Sequence, residues 1–167
     1  MGRRWVVNAS PVIVLGKLGQ LRLLTQLTDE LVIPAGVATE IAAGPVDDAG
    51  ATWIESVKND LVHGPVDVDP VVAAWDLGMG ESEVISYARQ HKDYDVVIDD
   101  AAARNCARSV GLRIRGTLGV IVLARQEGLL DAAGPLLRQM PAAGLHIHPR
   151  LLAEAMRLAG EEPTQDS

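Results

Sequence analysis

Asn8, Glu40, Glu81, Asp99 and Asp100 are the residues of this chain whose types and positions can do chemistry together. Carboxylates brought to one point repel each other unless a cation sits among them. All-oxygen ligation suits a hard cation such as Mg²⁺ or Mn²⁺. A cation so held can activate water and neutralise charge at a scissile phosphate. The same acids also have a plainer reading: at helix starts they cap backbone amides and complement the helix dipole. Which reading applies depends on whether the fold gathers them.

Short β-branched runs alternate with helical patterns, which predicts βαβ units and a mostly parallel sheet. Trp5-Val6-Val7, Leu31-Val32-Ile33, Asp95 to Ile98 and Leu112 to Arg115 read as strands, with Leu145-His146-Ile147 as a fifth. Ser10 is placed to cap a first helix, with Pro11 at its first position and Gly19 closing it. Helices are expected over Val37 to Ala42, Glu81 to His91 and Thr117 to Glu127, and over Arg150 to Ala159. Asp100 is expected to cap another that runs to Ser109 and stops at Gly111. Pro45 to Gly50 reads as a loop, and Trp53 to Asp69 as a small hairpin or an irregular excursion. In parallel α/β sheets ligands gather beyond the C-terminal strand ends. Asn8 follows the first strand, Glu40 the second, and Asp99 and Asp100 the third, while Glu81 opens the helix before that strand. The acids can therefore converge.

Composition narrows the classes. A length of 167 residues predicts one domain, here 1–160, with 161–167 as a polar, flexible tail. At 48% apolar and 22% charged the chain is an ordinary folded one. The single cysteine, Cys106, excludes a disulfide framework and a cysteine zinc cage. A net charge of -7 excludes a nonspecific basic coat for nucleic acid, though not a local basic patch. With no Phe, three Trp and two Tyr, a stacked aromatic platform for single strands is not expected. Arg3 and Arg4 precede an apolar stretch, but Asn8, Ser10, Pro11 and Lys17 interrupt it, and no run reaches the ~18 residues of a membrane span. A cytoplasmic protein without a membrane segment is the expectation.

The run Val6-Val7-Asn8-Ala9-Ser10-Pro11-Val12-Ile13 resembles the opening of PIN-domain proteins, and of their VapC-related branch in particular. The likeness continues at Val32-Ile33-Pro34 through Glu40-Ile41, at Gly80-Glu81-Ser82-Glu83 and at Ile98-Asp99-Asp100-Ala101-Ala102-Ala103-Arg104. Gly116-Thr117-Leu118-Gly119-Val120 then follows, so the resemblance covers about Trp5 to Leu130. It implies a three-layer α/β/α, PIN-like fold and a metal-dependent endoribonuclease, often the toxin of a toxin–antitoxin pair. Carried over, Glu40, Glu81, Asp99 and Asp100 would be the catalytic acids, holding Mg²⁺ or Mn²⁺ together with Asn8. Ser10 would support the first ligand position through its hydroxyl. RNA would be the substrate, with an antitoxin protein and a second copy of the chain as partners. One residue departs from the pattern: Asn8 stands where the family usually has its first acid. An amide oxygen can ligate a hard cation but brings no charge and cannot act as a base. Weaker metal binding follows, and the alternative is a PIN-like module that binds RNA or protein without cutting. A phosphatase of acid-cluster type would need an aspartate nucleophile on the first strand, which Asn8 cannot supply.

Arg104 and Arg108 lie four apart on one helix and share a face from which they could meet RNA phosphates. The plainer reading is a solvated face. Arg113 and Arg115 share a face of the fourth predicted strand. His146 and His148 alternate and should point the same way, as surface residues, since no third metal ligand is evident near them. Cys106 reads as core. The stripe of Leu151, Leu152, Ala155 and Leu158 on the last helix packs inward by default, or serves a homodimer or antitoxin.

Overall fold

A computed structural model describes residues 2–162. Its centre is a five-stranded, all-parallel sheet in the order β3-β2-β1-β4-β5. The strands are β1 (Arg4–Val7), β2 (Glu30–Pro34), β3 (Val62–His63), β4 (Tyr94–Val97) and β5 (Ile114–Arg115). In register, Val6 pairs with Val32 on one side and Val96 on the other, and Val7 pairs with Val97, itself beside Arg115. Trp5, Val6 and Val7 are completely buried, as are Ile33, Val96 and Val97. Strands covered on both faces read as unbroken apolar runs, which is why the pattern shows in the sequence.

Helices cover both faces. The chain forms α1 (Ala9–Lys17), α2 (Arg22–Gln26), α3 (Ala35–Ala42) and α4 (Ala49–Leu61) in its first part. Then come α5 (Pro70–Ala73), α6 (Met79–Gln90), α7 (Ala101–Ser109), α8 (Thr117–Gln126), α9 (Gly134–Gln139) and α10 (Pro149–Leu158). α6 spans β1, β2 and β4 and touches α7, while α1 and α2 pack with α8, and α1 with α4. The result is the expected three-layer α/β/α architecture.

Strand order decides where the site lies. From β1 the chain crosses to β2 and β3 on one side, then returns to β4 on the other. The strand order therefore reverses between β1 and β4, and at such a point the connections diverge and leave a crevice. Asn8 leaves β1 and Asp99 leaves β4 at that crevice, and the Asn8 amide donates to the Val97 carbonyl at 3.0 Å.

Three local expectations are corrected. Leu145–Ile147 is not a strand. It follows Gly144, at φ +103°, and leads into the His148 cap of α10, so its apolar side chains pack on the core from a loop. The fifth strand is instead β3, within the stretch read as a hairpin or excursion. That stretch begins inside a helix: Asp48 Oδ2 accepts from the Ala51 amide at 3.0 Å and starts α4 inside the expected loop. Small residues allow it, since a Cβ on Gly16 of α1 would lie 2.9 Å from the Gly50 nitrogen. Finally, Glu161, assigned to the flexible tail, accepts from the Ala133 and Gly134 amides at 2.7 and 3.0 Å and caps α9. The remaining tail, 163–167, lies outside the described residues.

Candidate metal-binding site

At the crevice, α3 and α6 meet across a glycine. A Cβ on Gly80 would sit 2.8 Å from Glu40 Oε2 and 3.5 Å from Asn8 Oδ1. Gly80 thus lets Glu40, on α3, and Asn8, at the start of α1, come to the same spot. Asn8 is 4% exposed, and its Oδ1 is buried without a hydrogen-bond partner. A buried amide oxygen left unpaired costs about 1–3 kcal/mol, so this atom calls for a donor or a cation.

Glu81 and Asp100 face this pair. Glu81 Oε2 accepts from the Gly78 amide at 3.1 Å at the start of α6. Burial pushes its carboxyl above the ordinary range; the Gly78 amide opposes this, and the charges of Asp100 and Glu40 add to the rise. Glu81 therefore feels the charges of Asp100 and Glu40, as the plain capping reading alone would not require. Asp100 does cap α7, its Oδ2 accepting from the Ala103 amide at 2.9 Å. Its other carboxylate oxygen, Oδ1, takes no part in that cap bond.

Asp99 is placed differently. Its Oδ1 accepts from the Thr117 amide at 2.8 Å, and its Oδ2 accepts from the Thr117 hydroxyl at 2.7 Å and the Ser10 hydroxyl at 3.3 Å. It ties the ends of β1 and β4 to the starts of α1 and α8. Ser10 therefore supports Asp99 and not Asn8. α1 begins at Ala9, with Asn8 as its first cap position and no side-chain cap bond, so the Ser10 hydroxyl is free to reach across. Thr117, fully buried, is a site residue that residue-by-residue reading missed. Its position after a glycine at a helix start was visible, but its partner lies 18 residues away. Gly80 and Glu83 were missed too; Glu83 is 4% exposed, with Oε1 accepting from the Val66 amide at 3.3 Å.

Of the arginines, Arg104 is brought to the site. Its Nη1 donates to the Ile98 carbonyl at 2.9 Å, beside Asp99. Burial, and secondarily the Arg108 charge, lower its pKa, against the pull of Asp99. Arg108 is exposed and donates to Asn105 Oδ1 at 3.1 Å. Arg113 is taken up by Asp95. Cys106 is buried in the core.

The donor set fits a hard divalent cation: an unpartnered amide oxygen, and a Glu81 carboxyl whose proton affinity burial and the charges of Asp100 and Glu40 raise. As folded, no three acids, histidines or cysteines among the described residues are close enough to form a cage by themselves. Asn8 lies outside that grouping, and Asp99 is held by its own bonds. The acids reach this end of the α/β/α sheet from three places: Glu40 on α3, Glu81 on α6, and Asp99 and Asp100 between β4 and α7. A family model described as PIN domain matches residues 4–161, and the chain belongs to that family. Membership carries the general expectation of nuclease-like, divalent-metal-dependent chemistry on RNA. No curated protein and no solved structure matches the chain. Among the described residues no helix is long and apolar enough to cross a membrane.

Proposed function

We propose that the single domain, expected over 1–160 and extended by the Glu161 cap, acts as one PIN-type, Mg²⁺- or Mn²⁺-dependent endoribonuclease unit. The observation that carries this reading is the buried, unpartnered Asn8 Oδ1 beside Glu40, facing the mutually repelling Glu81 and Asp100. Asn8, Glu40, Glu81 and Asp100 would hold the cation, with Asp99 completing or bracing the set. When bound, such a cation lowers the pKa of water and neutralises charge on a phosphate. Glu81, whose Oε2 accepts from the Gly78 amide, would take the proton from the attacking water. Ser10 and Thr117 keep Asp99, and with it the end of β4, in place. Arg104 supplies a cation for the phosphate charge.

Two further parts of the reading rest on the resemblance to the VapC-related branch: a toxin role in the cytoplasm, and a cognate antitoxin. A homodimer is supported by Leu151 and Leu158, 53% and 56% exposed on one stripe of α10. One observation favours a second reading. Asn8 brings no charge, so a PIN-like binding module that does not cut is the alternative.

The experiment is Mn²⁺-dependent cleavage of a mixed RNA pool, with analysis of the new ends. Attack by water leaves linear phosphomonoesters, whereas attack by the 2′-hydroxyl leaves 2′,3′-cyclic phosphates. Linear ends that appear with Mn²⁺ and vanish with chelator support the proposal. Cyclic ends, or cleavage indifferent to chelator, refute it.

A further inference from the structure

A second cleft, of about 420 Å³, is lined by Asp99 but not by Glu40, Glu81 or Asp100. It runs between the start of α8 and the loop 145–148, and Arg104, Arg115, His146 and His148 line it. Asp99 is the one acid on its wall among the described residues, and that carboxylate already accepts three hydrogen bonds. In a chain of net charge -7 this is a local reversal of sign.

The two arginines are held ready but unneutralised. Neither forms an ion pair among the described residues. Arg104 spends one nitrogen on Ile98. Arg115 lies over the Trp5 ring, 5.4 Å from its centroid, and its Nε is buried with no acceptor. A desolvated guanidinium nitrogen without an acceptor is costly and calls for an anion or a polar oxygen. The wall between the arginines is glycine: a Cβ on Gly116 would lie 2.9 Å from Arg104 Nη1, and one on Gly119 3.2 Å from Arg115 Cγ. His148 uses Nδ1 to accept from the Arg150 amide at 3.1 Å, which leaves Nε2 free, and His146 is exposed beside it. Leu118 and Leu145 add apolar wall. Cationic donors, apolar sides and this volume suit one nucleotide, with its phosphate on the arginines.

We infer that this cleft binds the RNA nucleotide adjoining the scissile phosphate, through Arg104, Arg115, His146 and His148. The inference rests on the endoribonuclease reading for the direction of the strand. It assigns to Arg115 and to the 145–148 loop a role in holding substrate apart from the chemistry.

The test uses the full chain with Arg115→Gln and, separately, His146→Glu, an exposed position whose change leaves the core untouched. Cleavage of a labelled short RNA in Mn²⁺ gives KM and kcat. Anisotropy of the same RNA in Ca²⁺, and Mn²⁺ calorimetry, accompany it. The expected result is KM raised about three- to tenfold in each variant, with kcat and Mn²⁺ affinity unchanged. The salt dependence of binding should also flatten, by roughly 0.7 in log–log slope for each phosphate no longer neutralised. If the wild type cuts and both variants keep its KM and salt slope, or lose kcat alone, the cleft is not a substrate subsite. If the wild type does not cut, the nuclease reading fails and anisotropy decides the cleft. Weaker binding by both variants than by the wild type then retains it. Equal binding, or none by the wild type, overturns it.

Discussion

Gly80 on α6 stands so close to Glu40 on α3 that a single added methyl group would lie 2.8 Å from Glu40 Oε2. Alanine favours the helix over glycine by about 0.5–1 kcal/mol, so Gly80→Ala should keep or slightly raise thermal stability. The nearest atom in the way is the end of a flexible side chain, which can move at little cost and takes Oε2 off the spot it shares with Asn8, while Val37 Cγ2, next at 3.3 Å, has to give by a few tenths of an ångström. Mn²⁺ affinity and RNA cleavage should therefore fall together, by about tenfold or more, as stability holds. Calorimetry and a melting curve on one sample check this. A melt that falls in step with activity would assign the effect to folding instead.

Asn8→Asp should change sign with metal. Without a cation, the new carboxylate is buried beside Glu40 and repels it, so the melting temperature should drop. With Mn²⁺ the added charge should tighten binding by about tenfold, or ~1.4 kcal/mol, and the melting temperature should rise above that of the wild type under the same conditions. Melting curves in chelator and in Mn²⁺ measure both. An equal shift in the two conditions would place Asn8 outside the metal site.

Glu81 gives a pH dependence in the metal-free protein. Burial first, then Asp100 and Glu40, raise its pKa above the ordinary 4.5. The folded state thus keeps this proton to higher pH than the unfolded chain. Stability contributed by Glu81 is present below pH 4.5 and is lost as pH rises through the raised folded value. Glu81→Gln removes that loss while its side-chain oxygen can still accept from Gly78. In chelator at pH 7 the variant should be more stable, by under about 1 kcal/mol given solvent screening, and the gap should close toward pH 4. A gap that widens on acidification would contradict the assigned cause.

Thr117→Val removes one hydroxyl donor from Asp99 Oδ2 and keeps the Thr117 amide bond. About 1–2 kcal/mol of stability should be lost, which is a few degrees in melting temperature, and kcat should fall as Asp99 loosens. Thr117→Ser keeps the donor and should retain most of the activity. A serine variant as impaired as the valine one would mean that packing, not the hydroxyl, matters at this position.

Much of this arrangement was legible in the sequence. The central strands stood out because Trp5 to Val7 and Val96 to Ile98 are completely buried and form unbroken apolar runs. Asp100 with Gly111, and Gly128 after α8, marked helix ends where the structure has them, both glycines at positive φ. What escaped depends on contacts between distant segments. β3 is two residues long and exists only because Val62 pairs with Ile33. Leu145–Ile147 has the alternation of a strand but lies in a loop. For the site, the residue types pointed to the C-terminal ends of the strands, and Asn8 and Asp99 do follow β1 and β4 there. The division of labour between Asp99 and Asp100 did not show, because it depends on Thr117 and Ser10 reaching Asp99 from other helices. Local sequence could not show that Ser10 serves Asp99 rather than Asn8.

The most direct test of a metal-dependent nuclease centre is Asp100→Asn, read by Mn²⁺ calorimetry and RNA cleavage. Asparagine caps a helix about as well as aspartate, so α7 should remain intact and only the charge beside Glu81 is removed. A wild type that binds Mn²⁺ and cuts RNA, with a variant that keeps its fold but loses metal affinity and cleavage by at least about tenfold, is the required result. Wild-type cleavage left undiminished by Asp100→Asn, or a wild type that neither binds Mn²⁺ nor cuts, would contradict it.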